Sequence, residues 1–157
     1  MNPGFSQLLR NPVQLLAFGF GSGLSPKAPG TAGTMVGILF LPLLTQLSLL
    51  EYLGVVLLMA LLGIYLCGKT AKLLGVHDHS GIVWDEMVGL WLSMTAIPFS
   101  WSWVLAAFLL FRLFDIWKPW PIGYLDKHVH GGVGIMLDDI VAGFMAWLIL
   151  FSVAKWW

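Results

Sequence analysis

Long apolar runs alternate with short polar breaks along this chain. Five runs stand out, at about Ala32–Leu50, Tyr52–Gly68, Ile82–Ile97, Trp103–Trp117 and Val133–Ala154, against the roughly 17 to 25 residues that a membrane helix needs. The third and fourth are short, so the pattern predicts four or five membrane segments. Pro98 follows the third run, Pro119 and Pro121 follow the fourth, and Gly131-Gly132 precede the fifth; such residues end or interrupt helices. An earlier run, Val13–Phe20, is too short to span, which leaves the Gly-rich stretch Gly19–Thr34 behind it open to a re-entrant reading. No Ala-x-Ala cleavage site follows, so the N-terminus is expected to be retained. No linker or internal repeat interrupts the pattern. Residues 1–157 are expected to form one all-α domain, a small polytopic membrane helical bundle.

Composition supports lipid as the surrounding medium. The chain has 157 residues, 59% hydrophobic and 10% charged, where a soluble domain carries about 25% charged residues. So small a body has too little interior to hide that much apolar surface. Trp101, Trp103, Trp117, Trp120, Trp156 and Trp157 fall at segment ends, where an indole suits the headgroup zone. With five spans, Arg10, Lys27, Lys69, Lys72, Lys118 and Lys127 share one side and Lys155 takes the other. The positive-inside rule makes the crowded side cytoplasmic. That side also collects residues 19–34, 69–81 and 118–132. The net charge of zero offers no basic face to nucleic acid. Cys67, the sole cysteine, excludes an internal disulfide and a cysteine zinc site, and Leu73 stands where a Cys-x5-Arg phosphatase needs arginine. The oligomeric state is left open, a homo-oligomer included.

Six charges lie where lipid would not tolerate them: Asp85 and Glu86 at the start of the third segment, Arg112 and Asp115 near the end of the fourth, Asp138 and Asp139 at the start of the fifth. At about 2.5 to 3.5 kcal/mol each at a helix centre, six facing lipid would cost roughly 15 to 20 kcal/mol, more than a typical fold's whole stability. Asp85 lines up with Gly89, Ser93 and Ala96, a small-residue stripe that lets membrane helices approach. Asp139 lines up with Ala142, Gly143 and Ala146, and Asp138 stands about 100° away, so Asp139 is expected to point inward. Single ion pairs could be packing devices. Five acids against Arg112 leave carboxylates uncompensated even with Lys118 added, and oxygen-only ligands favour Mg2+.

The segment Gly19-Phe20-Gly21-Ser22-Gly23-Leu24-Ser25-Pro26-Lys27-Ala28-Pro29-Gly30-Thr31-Ala32-Gly33-Thr34 matches neither Walker A nor a Gly-x-Gly-x-x-Gly strand-to-helix turn. Backbone N–H groups before a helix, with Thr31 as N-cap, would suit an anion; the alternative is a turn plus packing, since Gly33 and Gly37 form Gly-x3-Gly. His77-Asp78-His79 and His128-Val129-His130 lie in cytoplasmic loops, as acid–base groups, phosphate hydrogen-bonders, loop caps or, on a weak signal, zinc ligands. No Gly-x-Ser-x-Gly elbow is present. Residue chemistry alone suggests phosphoryl chemistry on a lipid headgroup.

Four blocks, GFGSGLSPKAPGTAGT at 19–34, HDHSGIVWDE at 77–86, FRLFDIWKPWPI at 111–122 and HVHGGVGIMLDDIVAG at 128–143, together resemble the phosphatidylglycerophosphatase A family. The resemblance implies a bacterial inner-membrane, Mg2+-dependent lipid phosphatase that takes phosphatidylglycerophosphate to phosphatidylglycerol and phosphate. Motifs of type 2 phosphatidic acid phosphatases, CDP-alcohol phosphotransferases and haloacid dehalogenase-type phosphatases are missing. The expected metal ligands are Asp85, Glu86 and Asp139, with Asp115 and Asp138 as further candidates. Arg112 and Lys118 would neutralise the phosphate, with Ser22, Gly23, Thr31, Thr34 and His130 as further substrate contacts. Asp78 and His79 are the candidate proton carriers beside the catalytic Asp85 and Asp139. Direct attack by water and an aspartyl-phosphate route both remain open. The competing class is an ion-coupled transporter or channel subunit, which should expose polar groups on both sides; the outer connections around 45–51 and 98–102 carry only Glu51 as a charge.

Overall fold

The computed structural model describes residues 3–76 and 79–156. The expectation of an all-α fold holds: no strand occurs among the described residues. Two short helices, α1 (Phe5–Arg10) and α2 (Pro12–Ala17), lead into a 3-10 turn at Gly19–Leu24. Then come α3 (Pro29–Ile38), α4 (Leu41–Leu44), α5 (Leu49–Leu74), α6 (Trp84–Ser93), α7 (Trp101–Trp117), α8 (Ile122–His128) and α9 (Gly131–Ala154).

Two helices, α5 and α9, are long and apolar enough to cross a membrane. The ends of α5 are written in sequence. The Ser48 hydroxyl accepts from the Glu51 N–H, and the Glu51 carboxylate accepts from the Ser48 N–H at 2.9 Å, a reciprocal cap. Gly75 then takes a left-handed conformation at φ 70°, which a glycine adopts without penalty. The predicted run Ala32–Leu50 is not one helix: α3 ends at Ile38, α4 follows with Pro42 in its first turn, and Leu49 and Leu50 belong to α5. The run Ile82–Ile97 is helical only over the ten residues of α6, so Ala96 lies past the helix end at φ 58° and drops out of the Asp85 stripe.

Helix α9 is the axis, packing on α5, α6, α7 and α8, while α3 covers α6. Glycines set the approach. A Cβ on Gly143 would run into the Gly89 carbonyl, and one on Gly89 would lie 2.8 Å from the Asp139 carbonyl oxygen, so α6 and α9 cross backbone to backbone. Gly33 and Gly37 press on Val83 and Met87 of the α6 region, which is the packing role open to Gly-x3-Gly. Outward, α5 shows Leu50, Leu57, Leu58 and Leu61 and α7 shows Leu105, Leu109 and Leu113, all exposed. Only 28% of the most apolar window of α5 is buried within the bundle.

Aromatic donors finish the inner helix ends. The Trp91 indole donates to the Gly37 carbonyl at 2.9 Å, Trp147 to the Thr95 carbonyl at 2.9 Å, and the Tyr52 hydroxyl to the Trp91 carbonyl at 2.6 Å.

Candidate active site

The site begins with the first turn of α6. Asp85 and Glu86 sit there, where carboxylates suit the positive end of the helix dipole. The Gly89–Gly143 crossing brings α9 alongside, and its periodicity turns Asp139 inward with Ala142, Gly143 and Ala146, all buried. One carboxylate oxygen from each of Asp85, Glu86 and Asp139 lies within 4.8 Å of the others.

Arg112 of α7 stands beside this group. It ion-pairs with Asp115 three residues on, and its Nη1 lies 3.7 Å from Glu86 Oε1. Asp115 in turn stands beside Asp139. Glu86 Oε2 and Arg112 Nε are buried without a hydrogen-bond partner among the described residues, an expensive condition for charged groups. The roof is the first turn of α3. A Cβ on Gly30 would strike Glu86 Oε1 and lie 3.1 Å from both terminal nitrogens of Arg112.

Asp138 takes a different partner. Lys118, left-handed at φ 46° where α7 ends, places its Nζ 2.7 Å from Asp138 Oδ2 and 2.7 Å from Asp126 Oδ1 on α8. Burial pulls the Lys118 pKa down, but the hydrogen bonds and charges of Asp126 and Asp138 outweigh it and hold the ammonium above its ordinary value. The five expected metal ligands thus divide: Asp85, Glu86 and Asp139 converge, Asp115 is tied to Arg112, and Asp138 faces Lys118.

The remaining candidates lie around this core. Thr31 is not the N-cap: Ala28 is, because Pro29 occupies the first helical position, where proline's missing N–H is harmless. Thr31 is half-buried in the first turn. The buried Thr34 hydroxyl donates to the Gly30 carbonyl at 2.8 Å, so it serves its own helix. Ser22 donates to the Phe18 carbonyl at 3.4 Å, and Gly23 abuts the backbone of Gly81; both fasten the N-terminal turn to the loop before α6. In that loop His79 Nδ1 accepts from the Gly81 N–H at 3.0 Å, with its ring against Phe18. His130 occupies the N-cap position of α9 without a side-chain cap hydrogen bond and is exposed. Asp78 and His77 lie outside the described residues. Sequence reasoning missed Asp126 and Gly30; Asp126 carried a signal, an acid eight residues beyond Lys118 across a proline turn, but Gly30 carried none.

What the core offers chemically is three convergent hard oxygen donors, a guanidinium beside them and a helix N-terminus above. The chain is 52% identical over 150 residues to phosphatidylglycerophosphatase A of Escherichia coli K12, covering 95% of this chain and 87% of that one. It is 50% identical over 157 residues to phosphatidylglycerophosphatase A of Haemophilus influenzae Rd, covering 99% and 96%. A Bacteroides thetaiotaomicron relative, 42% identical over 150 residues with 90% and 92% covered, carries a provisional name, phosphatidylinositol-3-phosphatase. No solved structure matches. The profile of the family described as phosphatidylglycerophosphatase A matches residues 15–154, and this chain, a phosphatase, belongs to that family.

Proposed function

We propose that the protein hydrolyses the terminal phosphate monoester of phosphatidylglycerophosphate, giving phosphatidylglycerol and phosphate, with Mg2+ at the cytoplasmic face of a bacterial inner membrane. The observation that carries this reading is the convergence of Asp85, Glu86 and Asp139 from two helices beside Arg112. The donor set fits a hard divalent ion: all ligand atoms are oxygens, their charge exceeds what Arg112 can balance, and Glu86 Oε2 is buried with no hydrogen-bond partner among the described residues. Bound there, Mg2+ would supply Lewis-acid charge to the phosphate oxygens.

The chain's own groups do the rest. Arg112 turns its free Nε–H and its fork toward the phosphate, giving up part of its hold on Asp115 and Glu86. Asp115 keeps Asp139 and Arg112 in register. Lys118 holds the corner of α7, α8 and α9 through Asp126 and Asp138, and reaches phosphate only by sharing its ammonium with them. His79, on the loop that enters α6, and Asp78 remain the proton carriers of this proposal. The acyl chains stay in the bilayer, beside the exposed leucines of α5 and α7.

In the membrane, α5 and α9 cross outright. The 17-residue α7 crosses with them, and α3–α4 and α6 supply the shorter traverses of a four- or five-segment bundle. Residues 19–34 form a re-entrant cover over the site.

Phosphate release from phosphatidylglycerophosphate by the purified protein, with and without Mg2+, tests the reading. Release should require the metal, and Asp85→Asn or Asp139→Asn should reduce it to below about one hundredth of the parent rate, the order seen when a charge-stabilising group is removed, while helicity is retained. No release across detergents and metals would shift the reading to the transporter; near-normal Asp85→Asn turnover would overturn the metal assignment.

A further inference from the structure

A second lipid-facing feature lies outside the carboxylate core. Between the last turns of α5 and the start of α9 runs a groove lined by Ile64, Tyr65, Gly68, Lys69, Lys72, Gly131 and Gly132. Its floor is the close contact of the two helices through glycine: a Cβ on Gly68 would lie 3.1 Å from the Gly132 Cα. Its walls are largely apolar and its rim is basic. Lys69 donates to the Tyr65 hydroxyl at 2.9 Å and its ammonium sits over that ring. Neither Lys69 nor Lys72 ion-pairs with a carboxylate among the described residues. An apolar trough with two ammonium groups at one end matches an amphiphile with an anionic head.

We propose that this groove binds an anionic phospholipid, with its phosphate at Lys69 and Lys72 and its acyl chain along Ile64. The inference rests on the membrane placement given above, which sets the cytoplasmic ends of α5 and α9 at headgroup level. Gly132 and Asp139 are seven residues apart on α9, about 10 Å along the axis, too far for one phosphate group to reach both, so the phosphate held at Lys69 and Lys72 is not the monoester at the carboxylates. The chemistry is phosphate recognition, and a lipid is favoured over free phosphate because most of the groove is apolar.

The test uses the full-length protein in phosphatidylcholine vesicles carrying a trace of photoactivatable phosphatidylglycerol or photoactivatable phosphatidylcholine with the same chains. The phosphatidylglycerol probe should label the Ile64–Lys72 peptide in preference to the phosphatidylcholine probe. Lys69→Gln/Lys72→Gln should cut that labelling about thirtyfold, the order expected for two interfacial lysine charges at about 1 kcal/mol each. Labelling should persist in Asp85→Asn, whose phosphatase activity is measured separately, so loss of the catalytic reading leaves this result standing. Equal labelling by both probes, labelling indifferent to the lysines, or labelling lost in Asp85→Asn would overturn the proposal. So would displacement by inorganic phosphate alone, which would mark a free-anion site. If the double variant fails to fold, the comparison of the two probes on the parent protein still decides.

Discussion

Gly30 shows how much a single missing side chain can hold in place. Its α-carbon occupies the space between the first turn of α3 and the Glu86–Arg112 pair, and a methyl group there collides with Glu86 Oε1 before anything else. Gly30→Ala should therefore push the Glu86 carboxylate away from Asp85 and Asp139. The expected outcome is weaker Mg2+ binding, read by calorimetry on the purified protein, and a higher Mg2+ requirement for phosphate release. Adding Glu86→Asp, one methylene shorter, should make room and restore part of the binding relative to what the two single changes predict. A double variant no better than their product would mean that Gly30 merely packs. The carboxylates themselves were legible in sequence, because five acids within apolar segments exceed what Arg112 can balance and the spacing of Ala142, Gly143 and Ala146 aims Asp139. Gly30 was not, since its meaning depends on Arg112, brought over from a helix some eighty residues away in sequence.

Among the elements, the crossing of α6 and α9 sets the carboxylate spacing. Gly89 and Gly143 touch backbone to backbone, so Gly143→Val would force the helices apart. Overpacking of this kind costs about 1 to 3 kcal/mol; a fall in thermal midpoint with loss of activity is expected, and an unchanged midpoint would show that the two helices are not in that contact. Here sequence reading was good for α7 and α9 and poorer elsewhere: the run Tyr52–Gly68 stops six residues short of Leu74, where α5 ends, so Lys69 and Lys72 lie on the helix and not in a loop 69–81. The extents of α7 and α9 were predicted to within two residues at each end, because hydrophobic runs bounded by serine, proline and glycine leave little freedom. The runs containing α3, α4 and α6 looked longer than the helices are, because apolar residues continue through the turns that end them. Lys118, expected on the substrate, joins Asp126 to Asp138, a pairing that only the α7–α8 turn makes visible.

For the whole molecule, the proposed sidedness follows from the lysines and the site lying at the same end. Cys67 is buried and is the sole cysteine, so Cys67→Ala gives a background for single reporters. Ser80→Cys, in the loop before α6, should react with a membrane-impermeant maleimide only after the cytoplasmic side is opened, and Ser100→Cys, at the start of α7, should react from outside. The reverse pattern would place the carboxylates at the external face.

The aromatic donors at the inner helix ends bear on how so short a chain could live in a bilayer. In the proposed membrane placement, helices of ten residues leave their last carbonyls in hydrocarbon, where unsatisfied polar groups cost several kcal/mol each. Trp91 and Tyr52 reach the ends of α3 and α6, and Trp147 reaches Thr95 just beyond α6. These side chains act as an internal substitute for water, so that helix length ceases to be the criterion for which segments can reside at depth. Replacing such an indole by phenylalanine would keep the volume roughly filled yet strand a carbonyl, so Trp91 and Trp147 terminate the interior of the bundle as well as filling it.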